Sequence, residues 1–372
     1  MGQGARVLRI SAMGRRINHM TRRSFVGASM LAGGVGLMAG LAGCGGHQSG
    51  SGDGLASRPA QTSGSAQDTA ETSLAANNDA SVTTSNDTPA VFFVHAVDPE
   101  ALQAVFDAIG VGLVGKIGVK LSSGEPGGNH YLKADLISEL VHAVKGTIVE
   151  CNTAYGGGRD TTEEHYRVAA DHGFANIADV QIMDEDGSVS LPVQGGHHLD
   201  EDLVGAHFFD YDGFLVLSHF KGHQMAGFGG ALKNISIGMA SREGKLLIHS
   251  AGASRERWTS AATSDFLESM ADASKAVLTA QPNMVFVNVM NNLSVDCDCD
   301  SNPAPPKMAD IGILASTDPV ALDQACVDLV YDSDDDSADL IARIESRDGV
   351  HVLEAAESLG VGSRTYELVE IG

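Results

Sequence analysis

Short apolar runs typical of buried β-strands alternate with helical patterns from about residue 90 to the C-terminus. Residues 91–95 (VFFVH) match a strand, and residues 99–109 match the helix after it. The same patterns predict strands at 116–121, 147–151, 213–218, 284–289 and 311–315, and helices at 132–144, 161–172 and 318–329. This alternation, with Gly-rich loops, predicts an α/β fold with a mostly parallel sheet and flanking helices, built as one domain or two lobes.

The N-terminus carries an export pattern. Arg22 and Arg23 followed by SFV match a twin-arginine signal, and after the weakly apolar run 26–41 the residues LAGC match a bacterial lipobox. The run is too short and too rich in Gly to span a hydrocarbon core of ~30 Å, which argues against a transmembrane helix. We therefore expect export by the twin-arginine route, removal of residues 1–43 and lipidation of Cys44. The protein would then be anchored to the cell membrane on its extracytoplasmic face.

A polar segment follows the lipobox. Residues 44–88 are mostly Gly, Ser, Ala, Thr, Asp, Asn and Gln without an aromatic residue, so we expect a disordered tether. Residues 89–372 form the predicted α/β domain. Met1, Met13 and Met20 all remain candidate translation starts.

The chain is strongly acidic. Its formal net charge of −24 argues against nucleic-acid binding, which needs a basic surface. Anionic lipid would also repel it, so we expect the acyl chains to provide the membrane attachment.

The segment 218–250 holds the densest set of polar side chains and begins where a predicted strand ends. Parallel sheets place ligands beyond the carboxyl ends of their strands, which makes this segment the predicted site. His219, Lys221 and His223 alternate and would share one side of an extended chain. Imidazoles bind metals and transfer protons, so His219 is a candidate metal ligand and Lys221 a candidate cofactor contact.

The second half of the segment is rich in Gly. Gly229 and Gly230 allow a ligand to approach the backbone closely, and Asn234 is a further candidate cofactor contact. Lys233, if partly buried, can act as a nucleophile, and His249 follows a second Gly-rich turn. The alternative is a Gly-rich turn with solvated His and Lys side chains.

The cysteines indicate a metal site more than a disulfide framework. Cys297 and Cys299 lie in the run VDCDCD, and thiolates suit nickel, iron or zinc. We expect these two cysteines, separated by one residue, not to bridge each other readily; the alternative is a polar loop with inert thiols. Cys326 is expected in the core, and Cys151 either in the core or near the site. No C-x-x-C-x-x-C run is present, so no ferredoxin-type iron–sulfur cluster is expected.

Another candidate lies in the loop YGGGR that follows the predicted strand at 147–151. Arg159, at the end of this loop, is a candidate contact for an anionic ligand or cofactor.

Three stretches resemble the family called domain of unknown function 362. They are KGHQMAGFGGALKNISIGMASREGK, DCDC and IGILASTDPVALDQACVD. Many relatives carry an inserted ferredoxin module after the position of His249. This chain continues instead through Trp258 into a helical stretch, so the iron–sulfur label of those relatives does not transfer.

A more distant resemblance connects the segment to the nickel-pincer lactate racemases. His223 precedes Lys233 by ten residues and Lys233 precedes His249 by sixteen, similar to the spacing in that family. The resemblance implies that His223 is an acid/base, Lys233 a covalent cofactor attachment and His249 a nickel ligand. The racemases use a second His in a Gly-Thr-His-Arg-like loop, where this chain has Gly157-Gly158-Arg159, and this difference argues against two-base racemisation.

These patterns predict an exported, lipid-anchored protein with a metal or cofactor pocket. If it is an enzyme, we expect redox or proton-transfer chemistry on a small acid. The alternative is a lipoprotein that binds a metal or small anion without turnover.

Overall fold

The apolar runs form the strands of a nine-stranded sheet in the computed structural model, which describes residues 6–10 and 88–372. The strands are β1 (Arg6–Ile10), β2 (Ala90–Val94), β3 (Ile117–Lys120), β4 (Thr147–Glu150), β5 (Val180–Ile182), β6 (Ser188–Pro192), β7 (Glu201–Gly205), β8 (Gly213–His219), β9 (Lys221–His223), β10 (Gly227–Gly229), β11 (Met284–Met290), β12 (Gly312–Ser316) and β13 (Tyr366–Glu370).

Nine α-helices accompany these strands in the described part of the chain. They are α1 (Pro99–Ala108), α2 (Ala134–Ala143), α3 (Thr162–Asp171), α4 (Ala231–Ile235), α5 (Arg242–His249), α6 (Thr263–Ala280), α7 (Pro319–Tyr331), α8 (Ala338–Ser346) and α9 (His351–Ser358). Two short 3₁₀ helices cover Phe174–Asn176 and Ala206–Asp210.

The strand order across the sheet is β1-β13-β2-β12-β11-β8-β3-β4-β5. Strands β11, β8, β3, β4 and β5 run parallel to one another, and β13 runs parallel to β2. Strand β12 is antiparallel to both neighbours, and β1 is antiparallel to β13. The chain returns from β11 to β12 without a crossover helix, and such a return produces an antiparallel pair. The predicted α/β fold with a mostly parallel sheet is confirmed.

Strand β8 shows why the sheet has a core on each face. Leu215 and Leu217 join the apolar cluster that contains side chains of α1 and α2. Phe214 and Val216 join the opposite cluster, with side chains of α4, α6, α7 and α9. Successive side chains of a strand point to opposite faces, so a strand covered on both sides is apolar throughout.

Local sequence signals predicted the start of α7 correctly. Helix α7 begins at Pro319, and the Asp318 carboxylate accepts hydrogen bonds from the backbone N–H groups of Val320 and Ala321. Residues 88–372 belong to one compact unit by their internal contacts. The prediction missed α8, α9, β13 and the pair β6–β7, because short amphipathic segments carry weak local signals.

Some predictions fall on residues that the structure does not describe. They are the twin-arginine signal and the lipobox within 1–43 (of which only 6–10 is described), lipidated Cys44, and the tether up to residue 87. Among the helices of the described residues, none combines the length and apolar character needed to cross a membrane.

Candidate functional site

A cavity of about 370 Å³ lies where β3, β4 and β8 end. Lys120, Glu150 and His219 are the last residues of these three parallel strands, so their side chains meet at one edge of the sheet. The hairpin β9–β10, the helices α4 and α5 and the cysteine-containing loop complete the wall. The predicted site residues that line the cavity are Arg159, His219, Lys221, His223, Gly229, Gly230, Lys233, Asn234, His249, Cys297 and Cys299.

His219 is buried and tied into the cavity wall. Its Nδ1 lies 2.8 Å from Asp298 Oδ1 and its Nε2 lies 2.6 Å from the Asn291 carbonyl oxygen. Both partners are acceptors, so each ring nitrogen faces a protein oxygen, and this arrangement argues against His219 as a metal ligand. Lys221 Nζ lies 3.0 Å from the other oxygen of Asp298 and donates to the His219 carbonyl oxygen. Although burial alone would raise the pKa of Asp298, its contacts with Lys221 and His219 hold it well below its usual range.

A second buried ion network lies in the cavity wall. Lys120 Nζ is 2.9 Å from Glu150, and Arg159 donates to Glu125 at 2.8 Å and to Glu150 at 3.3 Å. Burial raises the pKa of Glu150, but Lys120 and the other cations outweigh burial and bring it to about 2. Arg159 also donates to the Tyr155 hydroxyl, so its guanidinium is largely committed to internal partners. These contacts indicate that Arg159 stabilises the cavity wall and argue against the predicted role as an anion contact.

The predicted cofactor contacts at Asn234 and Gly230 have structural partners instead. The Asn234 amide accepts from Lys120 Nζ and donates to the Leu217 carbonyl and to Ser218 Oγ, so it links the ends of β3 and β8. A Cβ at Gly230 would lie 2.3 Å from Asp323 Oδ1. The Gly at this position therefore lets a carboxylate approach the start of α4.

Lys233 differs from the other lysines of the wall. Its Nζ makes no hydrogen bond or ion pair in the described part of the chain, whereas Lys120 and Lys221 both contact carboxylates. Desolvation and the nearby charge of Lys221 lower its pKa to about 7. Loss of the Lys233 proton near neutral pH gives the free amine, the form that acts as a nucleophile or base.

Backbone hydrogen bonds fix the ring proton of His223. Nδ1 accepts from the Ala226 N–H at 2.9 Å and from the Met225 N–H at 3.3 Å, so the neutral ring carries its proton on Nε2. Burial, with the charge of Lys233, keeps the pKa of His223 well below its usual range. His223 is thus a neutral ring that offers an N–H group.

His249 has the opposite tautomer. Its Nδ1 donates to the Lys245 carbonyl oxygen at 2.6 Å, so Nε2 keeps its lone pair. Burial lowers the pKa of His249 to about 4, and the ring packs against Trp258 and Phe266. A neutral imidazole with one nitrogen bonded to a backbone carbonyl has the usual arrangement of a metal-ligating His.

Cys297 and Cys299 are joined by a disulfide, which corrects the expectation that they do not pair. The two cysteines lie in one turn: the Asp300 N–H donates to the Cys297 carbonyl oxygen, and the Cys299 N–H donates to Cys297 Sγ. The Asp298 carbonyl oxygen accepts from the backbone N–H of Glu125. His223 and the two cysteines offer ligand atoms within 4.8 Å of one another. The tautomer of His223 argues that it serves this group as a proton donor, while the sulfurs are the metal-type donors once reduced.

The remaining cysteines of the described chain are buried thiols. Cys326 lies in the core, as predicted, and accepts a hydrogen bond from Asn288. Cys151 lines the cavity but donates to the Met239 carbonyl oxygen. Burial raises the pKa of both thiols far above the ordinary value, so neither is a ready thiolate.

Sequence reasoning missed Glu150 and Lys245 in the cavity wall. Glu150 ends β4 next to Lys120 at the end of β3. Because both predicted strands end next to these residues, the sequence pattern could have indicated that their side chains lie together. Lys245 lies in α5 one turn before His249, a helical spacing that places both on one face. His198, which was not selected from the sequence, is exposed and forms a separate group with half-buried Asp265 and Glu268 outside the cavity.

The fold and site define an α/β protein with a polar cavity, rich in lysine and histidine, at the carboxyl edge of its sheet. The family model described as Domain of unknown function (DUF362) matches residues 117–328, from β3 into α7, and the chain belongs to this family. The resemblance inferred from the three sequence stretches is thereby confirmed. No curated protein matches the chain.

Two solved structures are similar to parts of the chain. The lactate racemase apoprotein from Thermoanaerobacterium thermosaccharolyticum aligns at 14% identity and a TM-score of 0.33, over 53% of this chain and 50% of that one. A Thermotoga maritima protein aligns at 12% identity and a TM-score of 0.37, over 70% and 58%. The chain thus spans about half the length of these proteins. At such scores the alignments carry no functional argument, and the roles implied by the racemase resemblance stay predictions.

Proposed function

We propose that this protein is a lipid-anchored, extracytoplasmic protein whose cavity binds a transition metal or a metal-containing cofactor and transfers protons on a small acid. The observation that supports the proposal most strongly is one cavity with three different proton states. Lys233 is an amine whose pKa is lowered to about 7, His223 is a neutral N–H donor and His249 is a neutral acceptor. Groups poised at different proton affinities in one cavity are typical of acid–base sites.

The pKa values decide which side chain takes which role. A general base is most effective when its pKa lies near the working pH, which favours Lys233 at about 7 over His249 at about 4. His249, neutral with a free Nε2, suits metal binding at neutral pH instead. His223 then donates a proton or a hydrogen bond to the oxygen of a bound acid.

The charges of the cavity favour an anionic ligand. Lys120, Lys221 and Arg159 have carboxylate partners, whereas Lys233 has none, so its positive form is left without a counter-charge. The remaining cation of the wall, Lys245, donates to the Ala240 carbonyl oxygen. A small carboxylate entering the cavity would supply the missing negative charge.

The donor set fits a thiophilic metal in one state only. The cavity is lined by ligand types that suit nickel, iron or zinc: the free Nε2 of His249 and, after reduction, the thiolates of Cys297 and Cys299, which lie within 4.8 Å of a ring nitrogen of His223. The disulfide itself has no thiolate to offer. His219 is excluded by its two hydrogen bonds. A metal bound by these residues would supply Lewis-acid polarisation of the acid's oxygen.

One observation favours the alternative of a binding lipoprotein without turnover. Arg159, His219 and Asn234, three of the predicted contacts, are held by internal hydrogen bonds. They shape and charge the cavity without being free to act on a substrate, and binding alone requires no more than this.

Proton exchange separates the two functions. Protein purified from its native membrane is incubated in D₂O with small carboxylic acids, and loss of the C–H signal next to the carboxylate is followed by NMR. The proposal predicts exchange that is lost in Lys233→Ala and reduced in His223→Gln, and unchanged in Lys116→Ala, a lysine outside the cavity lining. Saturable binding without exchange supports the binding lipoprotein, and exchange that survives Lys233→Ala removes Lys233 from the proposed mechanism.

A further inference from the structure

The two sulfurs of the Cys297–Cys299 disulfide lie in the wall of the cavity, where a small molecule can reach them. Cys299 is half-buried, while Cys297 is 6% exposed, so Cys299 is the more accessible of the two. Accessibility and a cationic setting are the conditions under which cysteine sulfurs exchange, and Lys221 and Lys233 line the same cavity.

The loop that carries the disulfide does not depend on it for its position. The Asp298 side chain contacts Lys221 and His219, and its backbone carbonyl accepts from the backbone N–H of Glu125. On the other side, Arg343 donates to the Val295 carbonyl oxygen at 2.7 Å. Because these contacts flank both cysteines, reduction leaves the two sulfurs side by side in the cavity wall.

We propose that Cys297 and Cys299 form a thiol–disulfide redox couple open to small thiols, and that only the reduced couple lets the cavity bind a metal ion. The second half of this inference rests on the proposed metal-binding function; the first half does not. The couple fits the expected extracytoplasmic location, where disulfides persist.

The exchange proceeds in two balanced steps. A small thiolate attacks the Cys299 sulfur, a mixed disulfide forms, the Cys297–Cys299 bond breaks and Cys297 leaves as a thiolate. A second small thiolate then attacks the small-molecule sulfur of the mixed disulfide. A small-molecule disulfide leaves, and Cys299 becomes a thiolate. The protein disulfide accepts two electrons, two small thiols are oxidised to one disulfide, and their two protons pass to the protein thiolates or to solvent.

Reduction changes what the cavity can bind. A disulfide sulfur is a poor ligand, whereas two adjacent thiolates bind thiophilic metals. A ring nitrogen of His223 lies within 4.8 Å of both sulfurs, so a neutral imidazole stands beside the couple. The disulfide therefore acts as the closed state of the metal site.

Thiol labelling tests the redox couple. The full chain is equilibrated in cysteine/cystine mixtures, quenched, alkylated without denaturation and mapped by mass spectrometry. We expect two labels on the Cys297–Cys299 peptide after reduction and none before, with Cys151 and Cys326 unlabelled because they are buried. Two labels without reduction, or none after it, overturn the couple.

Single variants test the order of attack. Cys297→Ser is expected to trap cysteine as a mixed disulfide on Cys299, and Cys299→Ser to trap much less on Cys297. Cys151→Ala, which removes a thiol from the same cavity wall, is the matched control and should leave the labelling unchanged. The reverse trapping pattern contradicts the proposed order.

Metal uptake tests separately whether the disulfide blocks metal binding. Reduced protein, freed of reductant, and oxidised protein are dialysed against Zn²⁺, a redox-inert probe, and bound zinc is measured. The proposal predicts uptake by the reduced form alone. Equal uptake by both forms overturns the redox control of metal binding but leaves the proposed metal binding intact. Uptake by neither form contradicts the redox control and the metal binding together.

Discussion

The environment of Lys233 differs from that of the other lysines that line the cavity. Every other lysine that lines the cavity makes a hydrogen bond to a carboxylate or a backbone carbonyl, and Lys233 makes none in the described chain. An ammonium group buried without a partner is costly, and losing its proton reduces that cost. The free amine of Lys233 is the consequence.

The reactivity of Lys233 should therefore titrate near neutral pH. The amine form reacts with acylating reagents, so labelling should rise with a midpoint at about pH 7 as the ammonium loses its proton. Exposed Lys307, whose pKa is raised by Asp339, should be labelled only at higher pH and is the control. The measurement is peptide-resolved labelling by mass spectrometry; a Lys233 midpoint at or above that of Lys307 would contradict the assigned environment.

Helix α4 carries Lys233, and its position depends on a carboxylate from another helix. A helix of five residues is too short to form alone. Asp323 of α7 accepts from the N–H groups of Ala231 and Leu232, and Asn288 of β11 donates to the same carboxylate. Burial raises the pKa of Asp323 to about 6 against these hydrogen bonds. The start of α4 is therefore fixed to the sheet and to α7 together.

A methyl group at Gly230 should disturb this anchor. Because the new Cβ would lie 2.3 Å from Asp323 Oδ1, Gly230→Ala should lower the free energy of unfolding by about 1–3 kcal/mol and shift Lys233. Gly156→Ala, at a position with no atom within 4 Å of the added Cβ, is the matched control and should change stability little. Denaturant unfolding measures both; equal stability of the two variants would show that Asp323 can move without cost.

How much of the site could be predicted depends on sequence distance. His223, Lys233 and His249 fall in one Gly-rich segment after a strand, so their convergence was visible locally. The partners of His219 and Asn234 lie 79 and 114 residues away, at Asp298 and Lys120. Such long-range contacts turn candidate ligands into structural groups, and no local pattern reports them.

At the scale of the whole molecule, the site lies at the carboxyl edge of a sheet in an acidic protein. The net charge of −24 contrasts with a cavity that holds five lysine or arginine side chains and two carboxylates. Removal of residues 1–43 would delete β1, which pairs only with β13 at the sheet edge, and would leave the other eight strands in place. Within the segment expected to be cleaved, none of the described residues (6–10) lines the cavity.

Export and anchoring give a prediction at this scale. Replacement of Arg22 and Arg23 by Lys should block export, since the twin-arginine route requires both side chains. Cys44→Ala should release the protein from the membrane because no thiol remains to be acylated. Cell fractionation and intact mass measure both effects, with Cys326→Ala as a thiol-removal control. Membrane attachment of Cys44→Ala equal to that of the unmodified chain would contradict the lipoprotein assignment.

The central claim is that the cavity holds a transition metal or a metal-containing cofactor. The most direct test is elemental analysis together with intact mass of protein purified under reducing conditions from its native membrane. The account predicts on the order of one nickel, iron or zinc ion per chain, with occupancy reduced in the Cys297→Ser/Cys299→Ser double variant. A mass adduct lost in Lys233→Ala would identify an attached cofactor, whereas metal-free protein with the mass of the bare lipidated chain would contradict the claim.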